Sequence, residues 1–419
     1  MSKITTLSQI CDALSDGLHK APVFNPTGEY LFVNATNLEK GYIVDKDEGK
    51  RADFSEYQKY GIELNDRTIL YSIDGTIGNI ARYRGEKVIL GKGACYLMVK
   101  NGVDPDYIYF LLQSEAFNEY IRKMSTGSTI HHISLETMRN FKFQLPDYDT
   151  QKSISSVLMA MENKIHLNVR LAAELESMAK TIYDYWFTQF DFPDADGKPY
   201  RSSGGEMEWN KRFKRKMPKG WGVVSINEMT TSYRGVSYDK KDLLPTPENG
   251  VLVLRGNNIQ NNRLVYDNNV AYVPPSFVSK EQKIRAHDII LTMSSGSKEH
   301  IGKCTMFQYD SPHTYGAFLT KFTPYTDKVG FVYLSMISDF FKKKIKAICN
   351  GTGINNLTNE TFDNLIFPNP SPSVLRHFEE IVEPILEKMG ACEKENEELT
   401  NLRDWLLPML MNGQTTVSE

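Results

Sequence analysis

The sequence contains little cysteine and no long apolar run. Only 5 of its 419 residues are cysteine, and no two of them form a Cys-x-x-Cys pair, so neither a disulfide framework nor a zinc site is expected. The longest apolar stretches, such as FVYLSMIS from Phe331, are far shorter than the roughly 18 residues that a membrane span needs. The N-terminal residues also lack an apolar signal core. These absences predict free buried thiols and a cytoplasmic protein.

Motifs of nucleotide, methyl-transfer and nuclease chemistry are missing as well. The chain has no GxxxxGK[ST] phosphate loop, no GxGxxG turn and no Asp/Asn-Pro-Pro-aromatic motif of the kind that grips a flipped base. Strings at 146–164 and 193–198 resemble nuclease motifs, but such motifs place their acidic and lysine residues on neighbouring strands. The first string runs onto a predicted helix and the second is too short to form two strands, so neither is predicted to be a nuclease site. Adjacent His131 and His132 have no third ligand in view. Neither a catalytic residue nor a metal ligand is predicted.

The overall composition is that of a folded protein with two or three domains. Hydrophobic residues make up 41% and charged residues 24% of the chain. The net charge of −3 gives little support for a nucleic-acid partner. Residues 1–146 hold 17 basic and 18 acidic side chains, 211–370 hold 22 and 13, and 371–419 hold 4 and 10. The basic surplus makes 211–370 a cationic block, which fits phosphate contacts and an ordinary solvated surface equally well.

The chain contains an internal repeat. At a constant offset of 224, the segments 127–146 and 351–370 share seven identical residues without a gap. Weaker similarity upstream aligns Asn37 with Asn258 and Gly78 with Gly302. Each half opens with short strand-like runs punctuated by Gly, Asn and Asp. We therefore predict two globular domains of α+β (mixed α/β) class, at 1–146 and 217–370.

Downstream of each domain the apolar pattern becomes helical. Apolar residues recur at spacings of four and three for about five heptads, which predicts long helices at 147–187 and 371–412. Because so narrow a stripe is typical of helix pairs, we predict an intramolecular coiled coil between them; packing of each helix on its own domain is the alternative. The predicted seam contains Ile154, Leu158, Ile165, Leu175, Ile182, Val382, Met389, Leu399 and Leu406.

Polar and helix-breaking residues modify this pattern. Asn168 and Asn396 fall in the seam, where polar residues can fix the register. Pro384 predicts a kink or a break in the second helix. The segment 188–216 is rich in Pro, Gly and charge and is predicted to be a linker. Basic side chains at 211–216 could touch DNA, although a solvated linker is the favoured interpretation.

Local signatures accompany the repeat. They include the openings FVNATNL and VLRGNNI, the exit of the first domain at 127–146, the helix start at 151–154, the tract YDYWFTQFDFPDADGKPYRSSGGEMEWN from Tyr183 and the entry MPKGW from Met217. In this combination, and over essentially the whole chain, the sequence resembles the specificity subunit of type I restriction-modification enzymes.

The resemblance implies a protein that recognises double-stranded DNA without chemistry of its own. Each domain would recognise one half of a split, asymmetric target. The two helices would pair as an antiparallel coiled coil that separates the halves and holds two methylation subunits. S-adenosylmethionine, ATP and magnesium would be bound by those subunits and by restriction motor subunits, with no cofactor in this chain. A stand-alone restriction enzyme or DNA methyltransferase, and a coiled-coil scaffold without a DNA role, are the alternatives.

The DNA contacts that the resemblance implies are polar and cationic residues outside the expected cores. Arginine suits guanine edges and asparagine suits adenine edges. His131 and His132 align with Asn355 and Asn356 in the repeat, so the same loop would carry different hydrogen-bonding pairs; a solvated turn is the alternative. The predicted contacts are Arg82, Arg84, Lys92, Ser128, His131 and His132 in the first domain, and Lys298, His300, Lys303, Asn355 and Asn356 in the second.

Overall fold

The computed structural model describes residues 3–46, 49–124, 132–265, 270–352, 356–415 and 417. The chain forms two compact units, one of Met1–His166 with Asn396–Glu419 and one of Leu167–Glu395. Each unit contains one mixed α/β domain together with a segment of both long helices. The predicted fold class is confirmed.

The first half of the chain forms eleven strands and six helices in its described residues. They are β1 (Lys3–Thr6), α1 (Leu7–Ile10), β2 (Cys11–Asp16), β3 (Tyr30–Val33), β4 (Leu38–Glu39), β5 (Tyr42–Ile43), β6 (Arg51–Ala52), α2 (Phe54–Tyr60), β7 (Thr68–Ser72), β8 (Ile80–Arg82), β9 (Val88–Leu90), β10 (Ala94–Val99), α3 (Pro105–Leu111), α4 (Glu115–Met124), α5 (Leu135–Asn140), β11 (Lys142–Leu145) and α6 (Tyr148–Tyr183), which ends in a π-helical turn at Asp184–Thr188.

The second half repeats this order after an added hairpin. Its elements are β12 (Met207–Asn210), β13 (Arg215–Pro218), β14 (Gly222–Ser225), α7 (Ile226–Met229), β15 (Thr230–Arg234), β16 (Val251–Leu254), β17 (Ile259–Gln260), β18 (Arg263–Leu264), β19 (Tyr272–Val273), β20 (Ile289–Thr292), β21 (Cys304–Met306), β22 (Thr314–Tyr315), β23 (Leu319–Pro324), α8 (Val329–Ile337), α9 (Asp339–Thr352), α10 (Asn359–Asn364), β24 (Ile366–Asn369) and α11 (Pro372–Met411).

Both domains have the same sheet topology. The first contains an antiparallel sheet of order β2-β10-β7-β8, and the second contains β15-β23-β20-β21. A smaller sheet, β6-β3-β9 or β19-β16-β22, joins one antiparallel and one parallel pair in each domain. Strands β1 and β11 pair in the first domain as β14 and β24 do in the second. The repeat predicted from the sequence is confirmed.

The strands β7 and β20 lie at the centre of these domains. All five residues of β7, TILYS, and all four of β20, IILT, are buried. In β7 the side chains of Ile69 and Tyr71 pack in the core under the helices, whereas Leu70 packs in the core of the smaller sheet. Because both faces are covered, these strands appear in the sequence as continuous apolar runs rather than as an alternation.

The two long helices pack on each other within each unit. In the first, Ile154 and Leu158 share a core with Leu410; in the second, Tyr183 packs against Phe378 with ring centroids 6.3 Å apart. Later residues of α6 thus meet earlier residues of α11, which makes the pair antiparallel as predicted. Of the predicted seam, Ile154, Leu158, Val382 and Met389 are buried, and Ile165, Leu175, Ile182, Leu399 and Leu406 are half-buried.

Of the kink or break predicted at Pro384, the structure excludes the break, and the kink stays a prediction. Helix α11 continues without interruption from Pro372 to Met411. The Pro384 side chain lies on the exposed face, while the following residues Ile385 and Leu386 are buried in the core of the second unit. A proline removes one backbone hydrogen bond from a helix, and the packing on both sides of this position compensates for that loss.

The segment 188–216 is not a solvated linker, which corrects the prediction from composition. Phe190 and Phe192 are buried, and the Phe192 ring stacks on Trp221 with centroids 4.9 Å apart. Strands β12 and β13 form an antiparallel hairpin after them. The aromatic side chains fix the segment to the core although its Pro and Gly content is typical of a loop. Lys211, Arg212, Lys214 and Lys216 of the basic cluster are exposed.

All five cysteines are free and buried, which confirms the prediction. Burial raises the pKa of the Cys11 and Cys304 thiols to about 12, so neither forms a reactive thiolate near neutral pH. Within the described ranges, no helix combines the length and apolarity needed to cross a membrane.

Candidate nucleic-acid interface

Three segments of the first domain meet at one end of its larger sheet. They are the β7–β8 loop (73–79), the β9–β10 turn (91–93) and the segment before α5 (132–134), which together we call the first loop cluster. The Ile133 amide donates to the Ile73 carbonyl at 2.9 Å, and the Ile73 amide donates to the Gly93 carbonyl at 3.2 Å. These backbone bonds fix segments that are far apart in the sequence next to one another.

Two predicted contact residues lie together in the first loop cluster. The Lys92 ammonium is 4.0 Å from one carboxylate oxygen of Asp74, and His132 Nδ1 is 3.9 Å from the other. The side chains of Lys92 and His132 remain 51% and 43% exposed. Contacts this long and this exposed are weak, so both side chains stay available to an external group. Asp74 was not identified from the sequence.

The prediction that Arg82 contacts DNA is corrected, because the Arg82 side chain has a structural role. Its guanidinium donates to the Asp106 carboxylate at 2.9 Å and to the carbonyls of Thr68 and Asp66 at 3.1 and 2.9 Å. The side chain is only 10% exposed. A buried guanidinium with these partners stabilises the sheet edge and is not presented to DNA.

Arg84 lies beyond the other end of β8 from the first loop cluster. Its guanidinium donates to the Gly41 carbonyl at 2.7 Å and lies over the Tyr42 ring at 4.1 Å. Tyr42 stacks on His166 of α6 with ring centroids 3.7 Å apart. Arg84 is therefore held on the β4–β5 hairpin, whose Tyr42 contacts the helix, and the structure does not bring Arg84 together with Lys92 and His132.

The second domain repeats the arrangement. Its β20–β21 loop (293–303), β22–β23 turn (316–318) and segment 356–358 form the second loop cluster. The Leu357 amide donates to the Met293 carbonyl at 2.8 Å, and the Met293 amide donates to the Phe318 carbonyl at 2.9 Å. Exposed Asn356 pairs through its backbone with Ser294, as His132 pairs with Asp74 in the first domain. The predicted contacts Ser128, His131 and Asn355 lie outside the described residues.

The β20–β21 loop carries the other three predicted contacts. Lys298 is exposed, and the Lys303 ammonium lies 3.2 Å from His300 Nδ1. Gly302 in the same loop has a φ of +80°, and a Cβ there would lie 2.8 Å from Ile345 of α9. Both the positive φ and this close approach require glycine. The loop is thus held against α9, with Lys298 exposed and His300 and Lys303 half-buried.

A group of lysines on α9 was missed in the sequence. Lys342, Lys343, Lys344 and Lys346 are exposed, whereas their neighbour Ile345 is buried against the β20–β21 loop. The run FKKKIK within the cationic block 211–370 was the signal that could have identified them. An exposed set of ammonium groups beside polar loops suits the phosphate backbone of a nucleic acid.

Across the described ranges, His, Cys, Asp and Glu side chains form no group of three or more that could hold a metal ion. The two loop clusters offer hydrogen-bonding and cationic groups on segments joined by backbone hydrogen bonds, which suits recognition.

Comparison with known proteins gives a consistent family. Residues 2–177 and 218–401 each match the family described as the type I restriction modification DNA specificity domain. The StySPI specificity subunit of the type I restriction enzyme of Salmonella potsdam is 29% identical over 211 residues, which is 48% of this chain and 45% of that protein. The match therefore spans less than half the length of that relative.

Other relatives match over greater lengths. The MjaVIII specificity subunit of Methanocaldococcus jannaschii is 23% identical over 91% of this chain and 86% of its own length. The crystal structure of the S subunit of a type I restriction-modification system from M. genitalium has the same fold, with a TM-score of 0.59, 16% identity, and coverage of 98% of this chain and 96% of that chain. With two matched regions that cover most of its length, the chain belongs to the type I restriction modification DNA specificity domain family.

Proposed function

We propose that this chain is the sequence-specific DNA-recognition subunit of a type I restriction-modification enzyme. The observation that carries the proposal is the duplicated loop cluster, which holds different side chains on the same backbone. Where the first domain has Asp74 and His132, the second has Ser294 and Asn356. Two loop clusters with the same backbone arrangement but different side chains suit a target made of two different halves, each recognised by one domain.

The chemistry of the clusters supports direct contact with a DNA duplex. Phosphate contacts position a protein and base contacts specify the sequence. The lysines of α9 and the exposed Lys298 suit the first task, and the exposed amide of Asn356 suits the edge of adenine. Lys92 and His132 are the corresponding candidates in the first domain.

The helix pair is proposed as the scaffold for two methylation subunits and for the restriction motor. In the first unit Leu402 and Trp405 are 43% and 57% exposed, and in the second Leu167 is 58% exposed. Leu402 and Trp405 are three residues apart and so lie on one face of α11, where neighbouring exposed apolar side chains support a protein partner. S-adenosylmethionine, ATP and magnesium would be bound by those partners, and the complex would act in the cytoplasm. We keep 1–146 and 217–370 as the domains and 147–187 and 371–412 as the helices.

A stand-alone nuclease or methyltransferase is the less favoured function. The test is to incubate the purified chain with DNA, magnesium and S-adenosylmethionine, alone and with its methylation subunits. We expect no reaction alone, and adenine methylation at a split motif with the subunits present, read by genome-wide mapping. Cleavage or methylation by the chain alone in independent preparations, or methylation without any split motif, would contradict the proposal.

A further inference from the structure

Phe318 is the most exposed phenylalanine in the part of the chain that the structure describes, at 68%. It occupies the third position of the β22–β23 turn, which the Leu319 amide closes by donating to the Gly316 carbonyl at 2.8 Å. The Phe318 carbonyl accepts from the amides of Met293 and Ser294 at 2.9 and 3.3 Å. The backbone of Phe318 is therefore hydrogen-bonded to the neighbouring β20–β21 loop.

Polar residues share the second loop cluster with Phe318. Ser294 and Asn356 stand in the same loop cluster, and Lys298 and Lys303 follow in the β20–β21 loop. None of the described aromatic rings stacks on Phe318. An exposed apolar side chain in the same loop cluster as groups suited to phosphates and base edges is placed to meet an apolar part of the same ligand.

The repeat shows that the ring is specific to the second domain. The equivalent turn in the first domain is closed by the Ala94 amide donating to the Gly91 carbonyl at 3.0 Å. Its two central residues are Lys92 and Gly93, where the second domain has Ala317 and Phe318. The same turn thus offers a cation in one domain and an aromatic ring in the other, as expected if the two turns meet different bases.

In the major groove the apolar group on a base edge is the C5-methyl of thymine. We infer that Phe318 is a specificity-determining residue that packs on a thymine methyl in the half of the target recognised by the second domain. This inference rests on the proposed function. Lys92, at the same turn, would place a cation and not an apolar surface at the first half.

The test uses the full chain assembled with its methylation subunits and a duplex that carries the mapped target. Each thymine is replaced in turn by deoxyuridine, which pairs like thymine but lacks the methyl group. Loss of one buried methyl corresponds to about a fourfold loss of affinity. We expect that loss in the parent protein at one position of the second half, and no loss at that position in Phe318→Ala.

Two further variants complete the comparison. Phe318→Gly introduces the residue that the first domain has at this turn and should behave like Phe318→Ala. Phe277→Ala removes another exposed phenylalanine of the same domain, outside the second loop cluster, and should retain the fourfold loss. Equal thermal unfolding midpoints for all three variants and the parent would show that the fold is unchanged.

Three results would overturn the inference. The second half of the target could contain no thymine in either strand, or the parent protein could bind with unchanged affinity when deoxyuridine replaces thymine at every position. The third is that both Phe318 variants lose as much affinity on deoxyuridine DNA as the parent does. A weakening by Phe318→Ala that is equal on thymine and deoxyuridine DNA would instead indicate insertion between base pairs. Absence of any sequence preference would overturn the proposed function itself, whereas selective binding without a methyl effect would overturn this inference alone.

Discussion

The guanidinium of Arg403 on α11 lies 3.3 Å from the carboxylate of Glu162 on α6, within the first unit. The same carboxylate accepts a hydrogen bond of 2.7 Å from the Tyr109 hydroxyl of the first domain. Burial raises the pKa of Glu162, although the Tyr109 hydrogen bond and Arg403 oppose that effect. One carboxylate therefore links both long helices to the domain and depends on its partners to remain ionised.

Replacing Arg403 by Met should destabilise the first unit in a pH-dependent way. Without the cation, the pKa of Glu162 rises further above its unfolded value, so the lost stability is greatest well above that pKa and is partly recovered as Glu162 takes up a proton. We expect a loss of about 1–3 kcal/mol near pH 7.5 and a smaller loss near pH 5. Denaturant unfolding at both pH values measures it. Arg376→Met, at an exposed position of α11, is the control; an equal loss at both pH values would contradict the prediction.

A second polar contact joins the second domain to its helices. Asn262 in the β17–β18 turn donates to Glu176 of α6 at 2.7 Å. Burial raises the pKa of Glu393 on α11 to about 7, an effect that Arg263 opposes and Glu176 increases. A carboxyl with a raised folded pKa contributes stability that is complete below its unfolded pKa and is lost as the pH rises through about 7.

Glu393→Gln should therefore remove the fall in folding stability that the parent protein shows as the pH rises. We expect little change near pH 5 and a gain on the order of 2 kcal/mol near pH 8, because the glutamine avoids ionisation at a half-buried site. Chemical denaturation across this range is the measurement. Glu398→Gln, on an exposed part of the same helix, should show no such trend. A variant that is less stable than the parent at pH 8 would show that the Glu393 charge is favourable.

The α9 lysines should contribute to the salt dependence of DNA binding. Changing Lys342, Lys343, Lys344 and Lys346 to Gln should weaken binding, because fewer counterions are released from the DNA. The slope of log K against log salt should fall by up to about 0.9 for each phosphate that the variant no longer neutralises. Binding of the assembled complex to its target is measured at several salt concentrations.

The basic cluster of the β12–β13 hairpin provides a matched control for the α9 lysines. Changing Lys211, Arg212, Lys214 and Lys216 to Gln removes the same formal charge and should leave the slope unchanged. Equal effects of the two sets would show that only net charge matters, and no effect of the α9 set would remove this helix from the proposed interface.

The sequence repeat predicted the corresponding elements near the end of each domain. Helices α5 and α10, and strands β11 and β24, start 224 residues apart, as the aligned segments require. The pairing of the long helices also followed from their apolar spacing, because a narrow stripe can be buried only against another element. The spacing of residues along the sequence was sufficient to predict both the repeated elements and the helix pairing.

Side-chain roles were harder to predict. Arg82 and Lys92 look alike in the sequence, but one is fixed by Asp106 and two carbonyls and the other remains half exposed. The difference arises from strand pairing between distant segments, which a single sequence does not reveal. The buried Phe190 and Phe192 were likewise hidden in a segment whose Pro and Gly content predicts a loop.

The two halves of the target should be separable. If each loop cluster recognises its own half, exchanging residues 1–146 for the equivalent domain of a relative should change one half of the methylated motif and leave the other intact. The reason is structural, because each domain has its own sheets and its own backbone bonds between recognition segments, such as Ile133 to Ile73 and Leu357 to Met293. Exchange of residues 217–370 is the reciprocal experiment and should change the other half. Genome-wide adenine mapping of both chimaeras is the readout, and a single exchange that altered both halves would show that the domains do not recognise DNA independently.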